Sequence, residues 1–306
     1  MAWIPGGTFR MGSDRHYPEE APVHSVAVEG FWIDRTPVTN SDFARFVAAT
    51  GYVTHAERPP RAEDYPGAKP EALVPASVVF RQPRHAVDLR DVHNWWTYVP
   101  GADWRHPRGP QTTIIASGNH PVVQIAFADA EAYAAWAGKS LPTEAEWEFA
   151  ARGGFDGAEF AWGDELRPGG RVMANTWHGA FPHQNLLPRR PGTTAVGSYP
   201  PNGYGLFDMI GNCWEWISDW YQEHHKAAGE CCGSAGDTRG LREASIDPRD
   251  PAAIPRKVMK GGSYLCAPNY CRRYRPAARM AQPIDTATCH LGFRCVIRPG
   301  GKAESD

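Results

Sequence analysis

The chain has 306 residues, 42% of them hydrophobic, with 12 Trp, 11 Tyr and 12 Phe, which is enough apolar material for one large folded domain and excludes a disordered chain. Its formal net charge of -2, with isolated Arg pairs at 189–190 and 272–273, offers no attraction for a polyanion and argues against a nucleic-acid partner. No stretch approaches a membrane span and the opening MAWIPGGTFRMG lacks the parts of a secretory signal, so the expected location is cytoplasmic, without a membrane partner.

Alternation at Val23, Val26 and Val28, then Phe31 and Ile33, predicts a strand with one buried face. A helix follows, capped by Thr39 or Asn40, with Phe43, Phe46 and Val47 on one face and Gly51 as its stop. From Ala56 to Gly118 the pattern dissolves into proline, charge and rings, including Trp95, Trp96 and Trp104. Such a stretch reads as functional surface, and these three tryptophans are candidates to line a peptide groove. Two further helices are expected, from Asp129 to Ala137 and from Thr143 to Arg152. In the second, Thr143 and Glu146 form a capping box and Gly153 and Gly154 end the helix. Beyond them short strands and turns run to the end, with a loop-like insertion from Gly229 to Ala253 that contains vicinal Cys231 and Cys232. No composition break divides the chain, so we expect one mixed α/β domain over residues 1–300, low in regular secondary structure, and a short polar tail at 301–306.

Seven cysteines, odd in number and sparse, point to reduced thiols or ligands rather than a disulfide framework. Cys266 and Cys271 stand five positions apart across a turn containing Pro268. Two soft thiolates without a neighbouring carboxylate suit Cu(I), although the spacing also allows a small disulfide, half of a zinc site, or two buried thiols. His24, His106 and His120 have no metal-like spacing and are read as structural. Trp147, Trp214 and Trp216 are read as core.

The segment GGSYLCAPNYCRRYRPAAR at 261–279 resembles the active-site loop of the formylglycine-generating enzymes, the sulfatase-modifying factor family. Similar blocks cover nearly the whole chain: PGGTFRMGS at 5–13, PVTNSDFARFV at 37–47, WRHPRGP at 104–110, LPTEAEWEFAARGG at 141–154, NGYGLFDMIGNCWEW at 202–216 and LGFRC at 291–295. The resemblance implies a duplicated, elaborated C-type-lectin-like fold. It also implies an oxidoreductase that turns the cysteine of a Cys-x-Pro-x-Arg motif in an unfolded sulfatase into Cα-formylglycine. Cu(I) on Cys266 and Cys271, O2 and a thiol reductant would serve the reaction, with Ser263 near the reacting atoms. A monomer or weak dimer is expected. Ala267 stands where many members carry histidine, and His290, a substrate-cleft candidate, where asparagine is expected. Cys295 lacks its usual partner because Pro276 and Ala151 occupy two positions where secretory members have cysteines, in keeping with a reducing compartment.

The resemblance also implies calcium, held by the side chains of Asp208 and Glu215 and the carbonyls of Gly211 and Cys213. A second family calcium site begins at Asn175 and Thr176, but Arg189 and Arg190 stand downstream where an aspartate belongs. The competing readings fare less well. The HxxxHxE motif and helical bundle of the iron sulfoxide synthases are missing, and no nucleophile motif of a hydrolase is present. A non-catalytic peptide- or ligand-binding module on the same fold is the alternative, opposed by the intact cysteine pair.

Overall fold

The computed structural model describes residues 1–225 and 242–300, so Cys231, Cys232 and the tail at 301–306 lie outside the described residues. It contains eleven short strands and three α-helices among those residues. The strands are β1 (Ala2–Ile4), β2 (Gly7–Met11), β3 (His24–Val28), β4 (Phe31–Ile33), β5 (Ala76–Phe80), β6 (Trp96–Pro100), β7 (Trp214–Trp220), β8 (Arg256–Lys260), β9 (Arg279–Pro283), β10 (Leu291–Gly292) and β11 (Val296–Ile297). The helices are α1 (Asn40–Thr50), α2 (Phe127–Trp136) and α3 (Glu144–Arg152). The expectation of a mixed fold poor in regular structure holds.

Local chemistry places the helices where the sequence reading put them. Thr39 accepts the Asp42 N–H and Asp42 returns a bond to the Thr39 N–H, while Gly51 closes α1 at φ +69°, a value that only glycine adopts freely. Thr143 and Glu146 cap α3 in the same reciprocal way, with Gly153 at its end. Helix α2 begins two residues earlier than expected, at Phe127, because the Asp129 carboxylate reaches back to the Ala126 N–H. The single strand expected over 23–33 is two, β3 and β4, parted at Glu29 and Gly30.

Four sheets assemble the domain. β4 lies between β1 and β11, joining the two ends of the chain, and β2 pairs with β3. The sheet that positions the site runs β10-β7-β8-β9, with β10 parallel to β7 and the rest antiparallel. The stretch read as irregular holds a hairpin, β5 with β6, in which Phe80 faces Trp96. Pro83 and the charged residues of its 15-residue connection masked the alternation.

Every residue of α3 is buried, four of its nine being charged. Each is answered: Glu144 by Arg279 and Lys260, Glu148 by Lys260 and Arg152, and Glu146 by Arg298. Such charges persist inside a protein only when paired in this way. The main core gathers around Phe43, Tyr133, Trp147, Trp216 and Phe293. A second cluster of Trp95, Trp177, Phe181, Tyr264 and Leu265 lies beside the cysteine loop.

Candidate active site

Strand β8 delivers the chain into the loop through Gly261 and Gly262, both at positive φ. A Cβ on Gly262 would stand 2.8 Å from the Arg273 carbonyl oxygen, so the two limbs of the loop meet only because that residue is glycine. The turn then folds on itself. Cys266 N–H donates to the Ser263 carbonyl, Cys271 N–H to the Ala267 carbonyl, and the Ser263 N–H to Cys266 Sγ at 3.3 Å. The two sulfurs end 3.4 Å apart.

Their environments differ. Cys266 is buried, and desolvation pushes its thiol well above the ordinary range. Cys271 is held below it, by the hydrogen bond from Cys266 and then by Arg273, whose guanidinium lies 3.9 Å from Sγ. Of the two, Cys271 is the sulfur that favours the negative charge, with Cys266 within hydrogen-bonding distance of it. Among the described residues no group of three or more His, Cys, Asp or Glu converges as a metal cluster, so the sulfurs stand without hard ligands. Two soft donors at one point fit Cu(I).

Both sulfurs open onto a cavity of about 400 Å³ lined by Ser263, Trp95, Trp96, Phe181, Tyr270, Met280 and His290, among others. Trp95 and Trp96, expected to line a peptide groove, do line this cavity. The same expectation is wrong for Trp104, which is buried against Phe43 with Arg105 over its ring. Trp147 and Trp216 are core, whereas Trp214, also read as core, lines the cavity as well. The Ser263 hydroxyl accepts the Leu265 N–H at 3.2 Å, as a turn serine does, and the residue also lines the cavity. His290 packs on Trp96, and its Nδ1 meets the Thr288 hydroxyl at 2.7 Å. Burial lowers its pKa to about 3, so the ring is neutral.

The model of the "Sulfatase-modifying factor enzyme 1-like domain" family matches residues 1–299. The chain belongs to the sulfatase-modifying factor family. It is 53% identical over 300 residues to a formylglycine-generating enzyme of Mycobacterium tuberculosis, with 97% of each chain covered. A formylglycine-generating enzyme of Thermomonospora curvata is 46% identical over 305 residues, with 98% of this chain and 93% of that one covered. Among solved structures, PvdO from Pseudomonas aeruginosa superposes with a TM-score of 0.63 at 22% identity, over 96% of this chain and 92% of that one, which shows the fold alone. The expected family fold, of the C-type-lectin-like kind, is the one found.

Against this family's pattern the two calcium expectations part. Asp208 and Glu215 are buried in one neighbourhood where the Arg294 guanidinium answers Glu215 at 2.8 Å through both oxygens. Asp208 accepts the Gly197 N–H but makes no ion pair among the described residues, and burial raises its carboxyl pKa. Glu215 also accepts the Trp147 Nε1–H at 2.7 Å, so Arg294 and Trp147 already answer it, and Asp208 is the oxygen ligand here that a hard cation could draw on. At Asn175, beside Thr176, the Arg189 guanidinium donates to Oδ1 at 2.6 Å. A positive charge already occupies the position, so a second cation does not fit there.

The five described cysteines, Cys213, Cys266, Cys271, Cys289 and Cys295, are free thiols, and among the described residues no helix is long and apolar enough to cross a membrane. His24, His106 and His120 each bond a backbone carbonyl or a threonine hydroxyl, in keeping with structural roles. Sequence reasoning missed Tyr17, Glu19 and Glu20, which hold the downstream limb of the cysteine loop. At some 250 positions' separation no local signal joins them to it.

Proposed function

We propose that this chain oxidises the cysteine of a Cys-x-Pro-x-Arg segment in an unfolded sulfatase to Cα-formylglycine, with Cu(I), O2 and a thiol reductant. The observation that carries the reading is the pair of thiols, 3.4 Å apart, at the wall of a cavity large enough for a peptide side chain and its neighbours. Cys266 and Cys271 would hold the copper, which when bound supplies the oxygen chemistry.

The protein's own residues do the rest. Trp95, Trp96 and Phe181 wall the cavity and keep water from the reacting cysteine. The Ser263 hydroxyl accepts from Leu265 and so keeps its proton for a ligand in the cavity. His290, neutral and oriented by Thr288, offers a hydrogen bond without a charge. An extended peptide suits such a groove, because main-chain contacts accept many sequences. Free thiols throughout the described residues support a reducing, cytoplasmic location.

Incubating the protein with a synthetic Cys-x-Pro-x-Arg peptide, Cu(I), oxygen and a thiol reductant tests this by mass spectrometry. Copper-dependent conversion of the peptide cysteine to an aldehyde is the expected outcome. A folded, copper-loaded protein that leaves the peptide unchanged would refute it and favour a binding module.

We also propose one calcium at Asp208 and Glu215. Added Ca2+ should raise the melting temperature, by about 2.7 kcal/mol of stabilisation at a hundredfold excess over Kd. Asp208→Asn should lose most of that rise. A melting curve indifferent to Ca2+ and to chelator would remove calcium from the account.

A further inference from the structure

We infer that Tyr17 and Glu19 are positioning residues for the copper site: they fix Cys271 opposite Cys266 by clamping the backbone and arginines that follow it. The inference rests on the copper reading above.

The upstream limb of the loop needs no such help. Cys266 is buried, continues from β8 through Gly261 and Gly262, and is tied to Ser263 by two hydrogen bonds. Downstream the chain enters no regular element between Cys271 and the start of β9 at Arg279. Besides Glu159 on Arg272 and the Phe160 ring stacked on Tyr274, what holds it there is a short 3-10 turn, Pro18–Glu20, and the residue before it. The Tyr17 hydroxyl accepts the Arg272 N–H at 3.0 Å, and the Tyr17 ring lies 3.7 Å beneath the Arg273 guanidinium. Glu19 takes two bonds from Arg273, the shorter 2.5 Å, and its carbonyl accepts from Arg279 at 3.2 Å. Glu20, fully buried, takes Arg275 through both oxygens.

The turn is itself anchored away from the loop. Ser13 N–H donates to the Glu20 carbonyl, and a Cβ on Gly12 would stand 2.4 Å from that oxygen. Gly12 N–H donates in turn to Glu148 on α3. The register of Cys271 is thus referred to the core helix through residues at the other end of the chain. Arg273 carries the effect to the site, with one guanidinium nitrogen on Cys271 Sγ and others on Glu19. Freed from Glu19, that guanidinium would swing and take the sulfur's neighbourhood with it. Two sulfurs bind one soft ion well only if their separation is preset, since otherwise binding must order the loop.

Tyr17→Phe removes one hydroxyl, and Glu19→Gln keeps the shape but not the charge. Asp156→Asn breaks an exposed ion pair with Arg10 that involves neither cysteine nor the arginines that follow Cys271, and is the control. Two readouts apply: Cu(I) affinity by competition with a chromophoric Cu(I) chelator, and the rate at which phenylarsine oxide bridges the two thiols of the metal-free protein. We expect Cu(I) affinity to fall about ten- to a hundredfold in Tyr17→Phe and Glu19→Gln, the range typical of residues that orient a metal's ligands, with slower arsenical bridging and, in Tyr17→Phe, a melting temperature close to wild type. Unchanged affinity and bridging in both variants would overturn the inference, as would losses shared by Asp156→Asn. A wild type that binds no Cu(I) would instead defeat the functional reading, and the bridging rates would then decide the clamp alone.

Discussion

On the proposed function, Cys266→Ser and Cys271→Ser should each abolish copper-dependent conversion of the peptide, by at least about a thousandfold, and the double variant should be no worse than either single one, because residues that act as a unit are not additive. The reason is geometric. In the proposed site each cysteine would supply one of the two soft donors, and a lone thiolate beside a serine hydroxyl has neither the softness nor the charge to keep Cu(I). The variants differ in stability. Cys266 is 2% exposed among apolar neighbours, so a hydroxyl there costs about 1–3 kcal/mol for want of full hydrogen bonding. Cys271 is partly exposed, and its serine variant should melt close to wild type. Copper binding and peptide conversion, measured beside melting curves, separate the effects. Appreciable turnover in either variant would exclude the two-cysteine site.

Lys260→Met lowers stability by about 3–5 kcal/mol, the usual result of removing one partner from a buried ionic cluster. Lys260 is fully buried and donates to Glu148 at 2.8 Å and to Glu144 at 3.3 Å. Methionine fills much the same space but leaves two interior carboxylates to Arg279 and Arg152 alone. Acid reveals the mechanism. Burial by itself raises both carboxyls, yet Arg279 and Lys260 for Glu144, and Lys260 and Arg152 for Glu148, outweigh it and hold each at about 2 instead of 4.5. A depressed folded-state pKa contributes stability that is fully present above about pH 4.5 and lost as pH falls toward 2. The wild type therefore has more to lose in that window than the variant. Urea melts from pH 6 to 3 should show the gap between the two proteins narrowing, whereas a constant gap would mean that Lys260 contributes packing only.

The order of the helices was legible because their signals are local: Thr39 with Asp42 and Thr143 with Glu146 at the starts, Gly51 and Gly153 at the ends. The cysteine turn was legible for the same reason, five positions being few enough for a loop to return on itself. The hairpin of Ala76–Phe80 with Trp96–Pro100 was not, since its pairing spans a long connection that resembles loop. Trp104 read like Trp95 and Trp96. Only the packing of α1, which sets Phe43 against its ring, moved it from groove to core.

By itself the sequence determined the class of domain, its helices, the closeness of Cys266 to Cys271 and the family that the motifs signal, because each depends on residues close together or on blocks matched one by one. Tertiary structure alone decided the cavity above the sulfurs, the neutral state of His290, the arginine that fills the second cation position, and the clamp on the cysteine loop. Those features depend on which distant side chains share a small volume and how far water is excluded from it, and neither is written in the spacing of residues along a chain.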